Sequence, residues 1–290
     1  MELINKAYYI TAKDGNETIV HKKIPEQDLD ELRKFNEIIL EFKYYQRKVK
    51  EIELNYLDYK SKYDFYKEKL AKKNIQKSKD FDLIFIDINR VFVNFITSIR
   101  TFVEHLEKKI SRKYSKNSQE YLSYKKFVGN CYDKYFSYRF FYHLRNFSIH
   151  TDYPINSFFS DYEYDEDRNI KKFEFKVEFQ KSHLLKDYDI KKKLNFDLCS
   201  YNEKFPVLPL VESILEPVSK FIPFIINLDH NYYLKAAEYI GDYILRFDPK
   251  NDISISQWIL INEKTGKWNF YMLPLDLVNF IILKNPVQLD

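Results

Sequence analysis

The chain has 290 residues, 45% hydrophobic and 31% charged, which is enough apolar sequence for a sizeable core and rules out long-range disorder. Lys and Arg number 47 against 43 Asp and Glu, a net charge of +4, so any nucleic-acid contact must be local rather than a general coating. Cys131 and Cys199 stand far apart with no CxxC or Cys/His ligand spacing, which excludes a disulfide scaffold and a zinc module and fits a reducing cytoplasm. The start, MELINKAYYITAKDG, carries no apolar signal core or Arg-rich presequence, and no run of 18 uncharged apolar residues occurs; the expectation is a cytoplasmic chain that neither crosses a membrane nor is secreted.

Residues 6–23 read as a β-hairpin turning at Asp14-Gly15, where glycine supplies positive φ. Pro25 and the acidic residues Glu26, Asp28, Asp30 and Glu31 then mark a helix start, and no Gly or Pro follows until Gly129. Leu29, Leu32, Phe35, Ile39, Phe42 and Val49 keep helical spacing, as do Ile88, Val91, Phe92, Phe95, Ile96, Ile99, Val103, Leu106 and Ile110, so long antiparallel helices are predicted. A polar, basic stretch over 72–80 separates the two, and Ser78 or Asp80 is suited to cap the second helix. After a second lapse at 111–118, helices are expected over about 119–128 and 132–150, the last ended by Thr151-Asp152-Tyr153-Pro154.

Beyond Pro154 the composition shifts. Asp161 to Asp167 reads as an acidic loop, and Phe173, Phe175, Val177 and Phe179 alternate with charges as a half-buried strand. Pro206, Pro209, Pro217 and Pro223 punctuate an apolar region that reads as broken helix, followed by a helix over 232–245, a second hairpin over 258–272 and a closing helix over 275–283. The expected organisation is mainly α: an N-terminal hairpin (1–24), a helical domain (25–155) and a C-terminal α+β domain (156–290).

Four glycines leave no GxGxxG, no P-loop and no GxSxG elbow, and neither HExxH nor an EF-hand occurs; dinucleotide folds, P-loop NTPases and ordinary serine hydrolases are disfavoured. Cys131, on an aromatic helix, reads as a buried structural thiol. What remains is Arg145-Asn146-Phe147-Ser148-Ile149-His150. On a helix Asn146 and His150 are one turn apart with Arg145 at the edge, all within an arc of about 140°. A permanent guanidinium can hold a phosphate bidentately, and an imidazole can move protons to and from ribose and leaving oxygens. An amide beside them can orient either partner. Such a set can cleave RNA without a metal, because the RNA 2′-OH supplies the nucleophile.

Arg145-Asn146-x-x-x-His150, late in a helical stretch, resembles the RX4–6H signature of the HEPN superfamily. The resemblance implies a metal-independent endoribonuclease without cofactors, acting as a homodimer whose two motifs share one composite cleft, in a toxin, abortive-infection or antiviral setting with an antitoxin or trigger protein. It assigns Arg145 and His150 as the catalytic pair and Asn146 as their polar support. Tyr153 is similar to a tyrosine that follows the histidine in some HEPN toxins, although it stands one residue further on.

Other readings of the same residues stand beside this one. Arg145 could pair with a carboxylate such as Asp133, and His150 could interact with the helix C-terminus, leaving a non-catalytic helical interaction module. Arg100 and His105 share the bare spacing on an earlier helix but read as bundle surface beside Glu104 and Glu107. His143 reads as a packed core histidine. Lys67, Lys69, Lys72, Lys73, Lys77 and Lys79, with Tyr63, Phe65 and Tyr66 nearby, could either guide RNA or form a solvated face.

Overall fold

A computed structural model describes residues 5–13, 16–72, 78–167, 169–247, 255–262, 267–273 and 275–283. In chain order the elements are β1 (Asn5–Lys13), β2 (Asn16–Ile24), α1 (Glu26–Ala71), α2 (Ser78–Tyr114), α3 (Gln119–Lys134), α4 (Phe136–His150), β3 (Ser157–Tyr164), β4 (Ile170–Gln180), α5 (Lys181–Leu184), α6 (Tyr188–Leu198), β5 (Lys204–Pro206), α7 (Val207–Ser213), α8 (Leu215–Ser219), α9 (Phe221–Leu228), α10 (His230–Phe247), β6 (Ile255–Asn262), β7 (Lys267–Leu273) and α11 (Leu275–Leu283). The protein is mainly helical. Among the described residues no helix is long and apolar enough to cross a membrane.

The chain forms two compact units, one of residues 1–46 with 221–290 and the other of residues 47–220. The divisions drawn on composition at 24 and 155 follow local sequence and are a different partition. In the first unit β1 pairs antiparallel with β2 on one side and with β6 on the other, and β7 completes a sheet in the order β2-β1-β6-β7. Its helical core sets Leu32, Ile39 and Phe42 of α1 with Tyr233, Ala236 and Ile240 of α10, all buried. α10 packs against α11 at Gly241, where an added Cβ would make only ordinary contacts with Val278 at 3.6 Å and Ile282 at 3.7 Å.

In the second unit the later part of α1 runs antiparallel to α2. Tyr66 Oη donates to Asp87, Tyr59 stacks edge-on against Phe92, and Tyr56 lies 6.2 Å from Phe95, so α2 numbers rise as α1 numbers fall. The apolar spacing on α2 is what places Ile88, Phe92, Phe95, Ile99 and Phe102 on one buried face. The connection over 73–77, expected to be polar and basic, lies outside the described residues.

Ser118 caps α3, accepting from the Tyr121 N–H at 3.1 Å. The expected break at Gly129 is absent: α3 runs through it to Lys134, and α4 begins at Phe136 rather than at Tyr132. The interruption falls at Tyr135, which is extended (φ −109°, ψ 109°), and Arg139 reaches back to satisfy the exposed end of α3. Its Nη1 donates to the Tyr132 carbonyl at 2.6 Å and to that of Asp133 at 3.2 Å. Apolar spacing could not show this, because the cap is the polar side chain of Arg139 in the next helix, held in place by the distant Asp197.

After α4, Asn89 in the first third of α2 pins the chain: its Oδ1 accepts from the Ile155 N–H at 3.1 Å and its Nδ2 donates to the Ile155 carbonyl at 2.8 Å. β3, β4 and β5 form a three-stranded antiparallel sheet in that order. Asp161 to Tyr164, expected in an acidic loop, are strand residues paired with Ile170 to Glu174, and only the stretch from Asp165 turns away. Phe175, Val177 and Phe179 face the core, where Phe179 meets Phe92 and Phe140. Pro209, Pro217 and Pro223 each occupy the third position of α7, α8 and α9, where a missing N–H costs no helical bond, so the prolines start three short helices instead of kinking one.

Candidate active site

α4 is aromatic because two of its faces are covered. Tyr138, Phe140, Phe141, Leu144 and Phe147 are buried, with Phe141 against Phe92 and Phe140 against Phe205. The residues left at the margin near its C-terminus include Arg145 and Asn146, half-buried, and His150, exposed in the last turn.

Two arginines of α4 have opposite fates. Arg139 is saturated: Nε and Nη2 meet the two carboxylate oxygens of Asp197 at 3.1 and 2.8 Å, and Nη1 caps α3. Arg145 has only a long contact from Nη1 to Oδ1 of Asn146, 3.4 Å. Its Nε is shielded from solvent with no hydrogen-bond acceptor, and among the described residues no carboxylate pairs with it. Asp133, the carboxylate considered as its partner, instead lends its backbone carbonyl to Arg139. A desolvated guanidinium N–H without an acceptor costs on the order of 1–3 kcal/mol, a cost that an incoming oxyanion removes.

The end of α4 is held by its neighbours. Thr151, directly after His150, donates from its N–H to the Phe147 carbonyl at 2.8 Å and from Oγ1 to Asp187 at 3.0 Å. Asp187 is also the N-cap of α6, accepting from the Ile190 N–H. Because Arg139 meets Asp197 at the other end, α6 lies antiparallel along α4. His183 of α5 packs its ring on Phe147 at 5.4 Å and contacts the Tyr153 carbonyl at 3.2 Å, with Asp152 at 3.8 Å. Sequence reading missed His183; its position beside α4 depends on the β4 to α6 connection, which has no local signature.

His143 is buried and its Nε2 lies 2.8 Å from Tyr132 Oη. Burial, with Lys193 and Arg100 adding to it, lowers its pKa below the ordinary histidine value. Arg100 is committed elsewhere, to Glu104 at 2.8 Å and to Tyr142, with its guanidinium carbon 3.9 Å from the Tyr142 ring centre. Burial pushes the Cys131 thiol up to about 11, which leaves it protonated and unreactive at neutral pH.

Two of the aromatics considered for base stacking on α1 are engaged elsewhere: Tyr66 is buried, and Tyr63 donates to the Phe175 carbonyl at 2.9 Å. Phe65 remains half-exposed between Lys62 and Lys69. Lys72 pairs with Glu68, and Lys73 and Lys77 lie outside the described residues. A cavity of about 280 Å³ between Leu70, Phe81, Phe85, Phe158 and Phe175 is apolar and is not lined by Arg145, Asn146 or His150. Among the described residues no group of three or more His, Cys, Asp or Glu side chains is arranged to hold a metal ion.

The chain matches no protein-family model, no curated protein and no solved structure.

Proposed function

We propose that the chain is a HEPN-type, metal-independent endoribonuclease working as a homodimer, with Arg145 holding the scissile phosphate, His150 transferring protons and Asn146 supporting them. The observation that carries this reading is the state of Arg145, a half-buried arginine whose Nε has no acceptor beside a neighbouring arginine that has all of its own. His150 is exposed at the end of the same helix, open to a substrate or to a second copy of the chain.

In the proposed reaction an imidazole takes the proton of the ribose 2′-OH, and the 2′-oxygen forms a bond to the adjacent phosphorus as the bond to the 5′-oxygen breaks. A protonated imidazole returns a proton to that leaving oxygen. The products are a 2′,3′-cyclic phosphate and a 5′-OH. Guanidinium groups neutralise the charge that gathers on the non-bridging oxygens. Each copy of the motif supplies one imidazole, His150, so two copies meeting in a dimer supply base and acid together. Antiviral defence or toxin action, held in check by an antitoxin or released by a trigger, is the setting this chemistry suits.

The alternative is a non-catalytic helical interaction module, favoured by the position of His150 outside the apolar cavity of the same unit. Total RNA incubated with the full chain in excess EDTA separates the two. The expected result is cleavage by wild type, lost in Arg145→Ala and His150→Ala. No cleavage by wild type, or equal cleavage by all three, supports the module.

A further inference from the structure

α6 presents an outer face that none of the described residues covers. Ile190, Leu194 and Leu198 turn inward and are buried, while Tyr188 and Phe196 are 72% and 92% exposed. Phe196 is thus a large apolar side chain almost wholly in water, on a well-formed helix whose inner face is already complete. Tyr188, Lys192 and Phe196 recur every fourth residue and so form one stripe, about 12 Å long from first ring to last. Lys192 lies over the Tyr188 ring at 5.6 Å. Lys191 and Lys193 flank the stripe on either side and are exposed, and among the described residues none of these three lysines forms an ion pair.

The nearby acids offset little of this charge. Asp187 is occupied as the α6 cap and by Thr151, and Asp197 is occupied by Arg139. Asp189 is the one exposed carboxylate in the helix. The face therefore combines two exposed rings, Tyr188 with Lys192 over one of its sides and Phe196 almost wholly in solvent, with three lysines that have no carboxylate partner.

We infer that the outer face of α6 binds single-stranded RNA, with bases stacking on Tyr188 and Phe196 and phosphates held by Lys191, Lys192 and Lys193. Stacking needs a free aromatic face and is indifferent to sequence, and unpaired lysines at its edge track the backbone. A duplex keeps its bases stacked on one another and offers neither ring a partner. The location fits the proposed cleavage reaction, on which this inference rests. The Tyr188 end of the stripe begins at Asp187, which is hydrogen-bonded to the residue after His150, so a strand lying along α6 leads to the end of α4.

The test is fluorescence anisotropy of the full chain with a labelled 2′-O-methyl oligouridylate of 12 nucleotides, which cannot be cut by 2′-OH attack, accompanied by the mass of the protein in solution. Wild type is expected to bind. Tyr188→Ala with Phe196→Ala is expected to weaken binding at least 30-fold, from about 5- to 150-fold per lost base stack, with the mass unchanged. Lys191→Gln, Lys192→Gln and Lys193→Gln together are expected to reduce the slope of log affinity against log salt by about 2. No binding by wild type, or equal binding by the aromatic double variant, overturns the inference. So does a double variant that changes the mass but not the affinity, since the face is then a protein interface. Binding through α6 without cleavage of a 2′-OH substrate overturns the nuclease reading alone, whereas cleavage with unchanged affinity in the double variant overturns the α6 assignment alone.

Discussion

Arg139 and Asp197 join α4 to α6 by a two-point ion pair, 3.1 Å at Nε and 2.8 Å at Nη2, with both side chains mostly buried. The same guanidinium closes the end of α3, so one residue ties three helices together. Arg139→Ala is expected to destabilise the protein by about 3 kcal/mol, because it leaves Asp197 and the Tyr132 carbonyl without donors. Arg139→Lys is expected to recover less than half of that, since an ammonium cannot reach both carboxylate oxygens and the carbonyl. Urea denaturation checks both; a midpoint that does not move in Arg139→Ala contradicts the structural role.

Two groups give stability a common pH sign. Burial alone would raise the Asp87 carboxyl, but hydrogen bonds from Lys62, Arg90 and Tyr66 outweigh it and bring the pKa down to about 2. A carboxylate whose folded value lies below its unfolded value of about 3.9 contributes stability above that unfolded value, and loses it as pH falls through about 2. Allowing for solvent screening, the contribution is on the order of 1–2 kcal/mol. His143 is also lowered, chiefly by burial, so it too favours the folded state above its unfolded value of about 6.5 and loses that contribution as pH falls below it. Melting temperature is therefore expected to fall in two stages on acidification. His143→Gln should lessen the fall just below neutrality and Asp87→Asn the fall at low pH, to which Glu107, also lowered because its hydrogen bonds outweigh burial, continues to contribute. Profiles parallel to wild type would contradict the assignment.

Ser115 and Gly129 hold each other's natural positions. Ser115 follows α2 with φ of 70°, the left-handed conformation that glycine adopts freely, whereas Gly129 lies inside α3 where an added Cβ meets nothing within 4 Å. Ser115→Gly and Gly129→Ala are each expected to stabilise the protein by about 0.5–1 kcal/mol, the first by relieving backbone strain and the second by restricting the unfolded chain. Additive gains in a double variant are the expected result. A loss of stability in either single variant contradicts the local conformation.

The long helices are legible because their apolar residues repeat at helical spacing, as Phe92, Phe95, Phe102 and Leu106 do on α2. Tyr135 was not legible as a break, since the side chain that makes it possible, Arg139, is held in position by Asp197, 58 residues further along the chain. At the candidate site, spacing places Arg145, Asn146 and His150 on one helix, but it cannot say which arginine of α4 is left unpaired. That depends on α6 arriving beside Arg139. The period of α6 itself, Ile190, Leu194 and Leu198, is written in the sequence but lies within a lysine-rich run that masks it. Tyr188, Lys192 and Phe196 repeat at the same interval on the opposite face, and that was the signal by which the exposed stripe could have been found.

The most direct test of the proposed chemistry uses an oligonucleotide that is 2′-O-methylated at every position except one, incubated with the full chain in excess EDTA, with the ends of the products identified. The expected result is one cut, on the 3′ side of the single free 2′-OH, leaving a 2′,3′-cyclic phosphate and a 5′-OH, and abolished in Arg145→Ala. Cutting at methylated positions, a 5′-phosphate product, or undiminished cutting by Arg145→Ala would contradict it.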